Sequence, residues 1–152
     1  VRYIIGIDPG ISGSLSIITD QCEYVDHLHM PVMKVGKKNR VNAAAVARWL
    51  KQYRCADHCY IEKVGAMPKQ GTASMFSFGH AAGIVEGVVV GMGIPMTYVT
   101  PQAWKRHTGL IGKDKDAART RAIQLYPDIS DLDLKGKGQA LADSILIARA
   151  NC

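Results

Sequence analysis

Three acidic residues stand where carboxylates can do chemistry. Asp8 closes the apolar run Tyr3-Ile4-Ile5-Gly6-Ile7 just before a Pro9-Gly10 turn, Glu62 closes Cys59-Tyr60-Ile61, and Asp143 leads into Ser144-Ile145-Leu146-Ile147. Carboxylates brought together repel one another unless a cation lies between them. Their hard oxygen atoms suit Mg²⁺, with Mn²⁺ as a substitute. Two such ions activate a water and stabilise the leaving oxygen of a phosphodiester. That chemistry needs acids from separate segments to converge on a rigid platform. Taken singly, each acid reads as an ordinary strand-end or helix-surface carboxylate, so only the set points to a site.

The elements that must position these acids follow from periodicity and turn signals. Residues 3–7, 13–19 and 24–29 read as an antiparallel meander. Residues 34–41 read as a basic loop carrying Lys37, Lys38 and Arg40, after which Asn42 caps a helix through Tyr53. A buried strand over 59–62 and a Gly-, Pro- and Lys-containing loop over 63–71 come next. Thr72 is expected to cap a long helix to Gly91 whose Gly79, Ala81, Ala82, Gly83 and Gly87 let another element approach closely. A strand over 95–99 leads to Thr100-Pro101, a cap with a first-turn proline, opening a short helix with Trp104, Lys105 and Arg106. A helix from about Asp114 to Leu125, a polar loop over 128–138 and a last helix over 139–150 complete the chain. The expectation is one α/β domain over residues 1–152, a mixed sheet with helices packed on it. If the first and fourth strands are neighbours, Asp8 and Glu62 share a sheet edge, and Asp143 reaches them where the last helix crosses it.

Composition narrows the partners. Nineteen Lys and Arg against 13 Asp and Glu leave a net charge of +6 over 152 residues, which favours polyanions: nucleic acid first, acidic membrane surfaces second. The longest apolar candidate, residues 83–92, is broken by Glu86, so no membrane span is expected, and no secretory signal opens the chain. Cys22, Cys55, Cys59 and Cys152 are too scattered to suggest a disulfide framework, which favours a reducing, intracellular compartment. Cys55, His58 and Cys59 lie close in sequence, but no second pair at ligand spacing follows them, so they make a weak zinc signal. Asp8, Gly10, Gly13 and Ser14 also resemble the first phosphate loop of actin and heat-shock ATPases. Those proteins need a second lobe that 152 residues cannot hold.

Three segments, in order and at their spacings, resemble RuvC-type Holliday junction resolvases: Ile4-Ile5-Gly6-Ile7-Asp8-Pro9-Gly10, Tyr60-Ile61-Glu62-Lys63-Val64, and Ala140-Leu141-Ala142-Asp143-Ser144-Ile145-Leu146-Ile147-Ala148. Met75-Phe76-Ser77-Phe78-Gly79-His80 and Val99-Thr100-Pro101-Gln102-Ala103-Trp104-Lys105-Arg106 extend the likeness. It looks closest to the phage and organellar branches, including the chloroplast resolvase, which leaves phage or bacterial cytoplasm and an organelle both open. The resemblance implies an RNase H-like fold with a five-stranded mixed sheet flanked by helices. It further implies a homodimer, Mg²⁺-dependent paired nicking of four-way DNA junctions, and Asp8, Glu62 and Asp143 as metal ligands. By motif position Lys105 and Lys115 match lysines near the scissile phosphate, where Lys115 would assist catalysis. The loop and helix start after the glutamate match the region that contacts the junction centre, making Met67, Lys69, Phe76 and Phe78 candidates for contacts to unstacked bases and phosphates, with at least one of the two phenylalanines expected in the core. Lys37, Lys38, Arg40, Lys105, Arg106 and Lys113 are candidates for DNA backbone contacts.

One departure matters. The family usually carries a fourth ligand, Asp or His, three or four residues before the last acid, where this chain has Ala140 and Gln139. Gln139 can offer a carbonyl oxygen, or Asp114, Asp116 or Asp133 can replace the missing acid. Two alternatives therefore stand beside a junction nuclease: a junction-binding protein with weakened catalysis, and an RNase H-like nuclease acting on other branched or hybrid nucleic acids.

Overall fold

The computed structural model describes residues 1–152. Alternation along the first strand builds the fold outward from β1 (Tyr3–Asp8). Ile5 and Ile7 point to one face of the sheet, Ile4 and Gly6 to the other. β2 (Ser14–Thr19) pairs antiparallel with β1, and β3 (Tyr24–His29) pairs antiparallel with β2. β4 (Val32–Val35) and β5 (Lys38–Val41) form a separate two-stranded hairpin. β6 (His58–Glu62) lies parallel to β1 and β7 (Met96–Val99) parallel to β6, giving a five-stranded mixed sheet in the order β3-β2-β1-β6-β7.

Helices cover both faces. Ile5, Ile7, Leu15, Ile17, Cys59 and Ile61 are buried against α1 (Ala43–Lys51) and α2 (Thr72–Gly91) through Val46, Trp49, Leu50, Ala81, Val85 and Val89. The other face is built from small residues. Ser16 on β2 meets Ser144 of α5 (Lys137–Arg149) at 2.5 Å between hydroxyl oxygens. A Cβ added to Gly6 would sit 2.1 Å from the carbonyl oxygen of Ser144 and 2.7 Å from the amide of Ala148. Glycine at position 6 therefore lets the α5 backbone rest directly on β1. α3 (Pro101–Thr108) and α4 (Asp116–Leu125) enclose α5 from outside, with Trp104, Ala118 and Ala122 meeting its buried residues.

Several sequence expectations are corrected. Residues 34–41 are not a loop but most of the β4–β5 hairpin, turned at Gly36 with φ of +63°. The N-cap of α2 is Gly71, without a side-chain bond, and Thr72 is its first helical residue. Residues 128–138 include a 3-10 turn, Ser130–Asp133, whose Leu132 is buried, and α5 already begins at Lys137. Cys22 and Cys152 are paired in a disulfide across a sequence separation of 130, with Cα atoms 5.7 Å apart. Scatter along the chain is thus no sign of unpaired thiols, because the β2–β3 turn and the chain end meet in space. α2 is long and apolar enough to cross a membrane by length and composition, contrary to the sequence expectation. The expectation weighed only the run over 83–92, whereas the helix as a whole has Glu86 as its one charge. In the fold it lies beside α1 and buries Ala81, Ala82, Val85 and Val89 in the core.

Candidate active site

Parallel pairing puts Ile7 opposite Ile61, so Asp8 and Glu62 follow at the same end of adjacent strands. Asp143 comes from the second turn of α5, which the Gly6 contact seats over β1. Asp8 and Asp143 both carry the mark of burial and of neighbouring charge. Burial, then the charges of Asp143 and Glu62, hold the Asp8 carboxyl well above the usual carboxylate range. Burial and the charge of Glu62 push Asp143 up to about 7, against a smaller opposing pull from the Gln139 hydrogen bond and the Lys105 ammonium.

Two neighbours hold these acids in place. The Trp104 indole donates to Oε2 of Glu62 at 2.7 Å. That tryptophan is fixed by the start of α3, where Thr100 accepts from the Ala103 amide and Pro101 occupies the first turn. Gln139, one helical turn before Asp143, donates its amide to Oδ1 of Asp143 at 3.2 Å. Gln139 thus stands beside Asp143, while Ala140 is buried. Among the acids considered as replacements, Asp114 shares a cleft with Asp143 but accepts from the Ala117 amide at 3.0 Å. Asp116 is bonded to Arg119, and Asp133 lies exposed on the 3-10 turn.

Clefts open on both sides of the acids. One, of about 490 Å³, runs from Asp8 and the 9–13 turn to Gln70, Ser74, Ser77 and Phe78 at the start of α2. The other, of about 230 Å³, is lined by Lys105, Lys113, Asp114, Lys115, Gln139 and Asp143. The three lysines from α3 and the α3–α4 connection thus gather beside Asp143, an arrangement able to hold a phosphate against the carboxylates. Elsewhere the candidate residues are dispersed. Lys37 and Lys38 are exposed at the hairpin tip, Arg40 is half-buried on β5, and none of them lines either cleft. Met67, Lys69 and Arg106 are exposed, with Lys69 at φ of +67°.

The expectation of a core phenylalanine is overturned. Phe76 is 65% exposed and stacks on His80, and Phe78 is 36% exposed with its ring over Gly10, where an added Cβ would lie 3.0 Å away. Phe76 lies on the side of α2 turned from the core, whereas Phe78 continues the line of the Ala81–Val85–Val89 stripe one turn toward the N-terminus, beyond the core and over Gly10. Cys55, His58 and Cys59 form no metal site: Cys59 is buried in the core, Cys55 is exposed, and His58 is hydrogen-bonded to Thr97. Sequence reasoning did not assign a role to Trp104, Gln70, Ser74 or Ser77. The Thr-Pro cap that fixes Trp104 was legible, but its bond to Glu62 spans 42 residues and leaves no local signal.

The comparisons agree with this geometry. The family model described as "Crossover junction endodeoxyribonuclease RuvC" matches residues 4–150. The structure of RuvC from Thermus thermophilus in complex with a Holliday junction substrate matches with a TM-score of 0.70 and 20% identity, over 99% of this chain and 92% of that one. A second Thermus thermophilus RuvC structure matches with a TM-score of 0.62 and 18% identity, over 98% and 92% of the two chains. No curated protein matches the chain by sequence. A sheet of this order with three acids at one edge, and a family match over nearly the whole length, lead to one assignment: the chain belongs to the RuvC family of crossover junction endodeoxyribonucleases.

Proposed function

We propose that this chain resolves four-way DNA junctions as a homodimer by metal-dependent hydrolysis at Asp8, Glu62 and Asp143. The observation that carries the reading is the convergence of acids from β1, β6 and α5 at one end of the sheet, beside a lysine-lined cleft. Half-buried acids that repel one another fit a divalent cation, and a donor set of carboxylate oxygens suits Mg²⁺, or Mn²⁺ in its place. Such ions would supply Lewis-acid activation of water and charge neutralisation at the leaving oxygen. The chain's own residues do the rest. Trp104 holds one oxygen of Glu62, leaving the other without a hydrogen-bond partner in the chain. Lys105 and Lys115 bind the phosphate oxygens and offset the charge that grows there as water adds to phosphorus and the P–O bond breaks. The basic hairpin, away from both clefts, suits backbone contacts further along a junction arm. The test is nicking of a four-way junction with Mg²⁺ or Mn²⁺; no nicks under either ion would leave a junction-binding protein as the better reading.

Lys115→Ala is expected to slow nicking about 100-fold with little change in junction affinity at low salt. Single-turnover cleavage beside an EDTA binding titration separates the two effects. Gln139 bears on the weakened-catalysis alternative. Its carbonyl oxygen is a neutral donor, so the metal site carries one negative charge fewer than a four-acid set. Gln139→Asp should lower the Mg²⁺ concentration for half-maximal nicking by roughly tenfold. An unchanged Mg²⁺ dependence would mean that position 139 plays no part in holding the ion.

The homodimer rests on α2. Gly79, Gly83, Gly87 and Gly91 recur every four residues, and a Cβ on any of them meets nothing within 4 Å. The exposed Phe76 and Val90 lie on the same helix. No element of the chain fills this strip, so a second copy can approach it closely. Gly83→Leu should leave the monomer folded and shift the protein toward monomer in sedimentation. A dimer unaffected by Gly83→Leu places the interface elsewhere.

A further inference from the structure

A second cluster of ligand-type side chains lies away from the carboxylates, two strands across the sheet. His27 and His29 alternate by two on β3 and so project from the same face. Asp131, on the 3-10 turn before α5, reaches between them. Its Oδ2 lies 2.8 Å from Nε2 of His27 and 3.0 Å from Nε2 of His29, and the three ligand atoms all fall within 4.8 Å of one another. The two imidazole rings meet edge to face with centroids 5.0 Å apart. We propose that His27, His29 and Asp131 form a binding site for a Zn²⁺-type transition metal ion, with solvent at the fourth position.

The donor chemistry selects the ion. Two imidazoles and one carboxylate suit Zn²⁺ and its near neighbours, whereas an all-oxygen set suits Mg²⁺. Around a tetrahedral ion with bonds of 2.0–2.1 Å, ligand atoms stand about 3.3 Å apart. The oxygen–nitrogen pairs therefore need to open by only a few tenths of an ångström. Asp131 can make that move, because its side chain is 40% exposed while the histidines, at 14% and 24%, are held by the sheet. Its exposed side also leaves room for a water. An outer support already exists: the Tyr24 hydroxyl lies 2.6 Å from Nδ1 of His27, which orients the ring with Nε2 toward the centre. The remaining ring nitrogen, Nδ1 of His29, is the one buried side-chain polar atom without a partner.

A metal here would join β3 to the 3-10 turn that precedes α5. The 3-10 turn is packed so tightly on that helix that a Cβ at Gly138 would lie 2.4 Å from the carbonyl oxygen of Leu132. Gln139 and Asp143 follow on the same helix. The ion would act as a clasp that holds Asp143 in register without touching substrate.

The test uses Asp8→Asn protein, so that uptake at the carboxylates is reduced, stripped with EDTA and titrated with Zn²⁺ or Co²⁺ alone. One equivalent per chain is expected, with a tetrahedral Co²⁺ visible spectrum and an upward shift in Tm. Asp131→Asn and His29→Gln should remove both the spectrum and the shift, and Tyr24→Phe should weaken affinity by about 10- to 100-fold. Asn matches Asp in size at a partly exposed position, so Asp131→Asn keeps the fold, as unchanged circular dichroism would verify. Absence of a bound equivalent, or one that survives Asp131→Asn, overturns the proposal and leaves a hydrogen-bonded cluster only.

Discussion

Asp8→Asn is expected to abolish junction nicking, by on the order of 10³-fold or more, while making the metal-free protein more stable at neutral pH. Both effects have one cause. The Asp8 carboxylate is buried beside Asp143 and Glu62, and it bears the repulsion that a divalent cation would relieve. Asparagine keeps the shape and removes the charge, so the ion loses a ligand and the apoprotein loses a source of strain.

The sign of the stability change follows from linkage. Folding raises the Asp8 carboxyl above its ordinary value of 3.8, and raises Asp143 from 3.8 to about 7. Between those values the folded chain holds more protons than the unfolded chain, so stability falls as pH rises. Metal-free wild type should therefore lose stability between about pH 4 and pH 7. The loss is limited to a few kcal/mol because Asp143 is open to solvent on one side. Asp8→Asn should flatten this slope, and saturating Mg²⁺ should offset it in wild type. Thermal melts across pH, with and without Mg²⁺, measure all three. A variant less stable than wild type at pH 7 without metal would show that Asp8 is satisfied by the protein alone and would count against the metal site.

Gly6→Ala is expected to be among the most damaging single methyls in the chain. The new Cβ would meet backbone atoms of α5, not the flexible end of a side chain: the Ser144 carbonyl oxygen at 2.1 Å and the Ala148 amide at 2.7 Å. Neither can yield unless the helix lifts off the sheet. A loss of about 3 kcal/mol or more is expected, a fall in Tm of roughly 6–12 °C for a chain of this size. Activity should suffer separately. Lifting α5 moves Asp143 away from Asp8 and Glu62, and an ångström of misplacement costs about 100-fold in rate. Nicking measured well below the variant's Tm reads that loss apart from unfolding. Gly6→Ala with wild-type stability and nicking would mean that α5 does not rest on β1 as described.

Legibility in the sequence followed the range of the interactions. Asn42 and Thr100 as caps, Pro101 in the first turn, and the strand runs of β1, β2, β6 and β7 were all readable, because capping bonds and strand alternation act over two to four residues. The β4–β5 hairpin was missed because its two central residues, Gly36 and Lys37, stand inside a basic run that reads as loop. The Cys22–Cys152 disulfide and the His27–His29–Asp131 cluster were missed because each joins segments more than 100 residues apart.

The types of residue at the site, and their place at the ends of elements, are legible in the chain without its fold. The resemblance of three short segments to a known family named Asp8, Glu62 and Asp143 before any geometry existed. It took the fold to bring the three acids to one end of the sheet, to let Trp104 and Gln139 hold two of them, and to set Lys105, Lys113 and Lys115 in a cleft with Asp143. The fold also decided which glycine matters for the site. Gly6 and Gly83 look alike in the sequence, yet one lies under a helix backbone and the other against open space. The reason is physical. A residue's chemistry is local, but its charge environment and its room for one more atom are set by segments far along the chain.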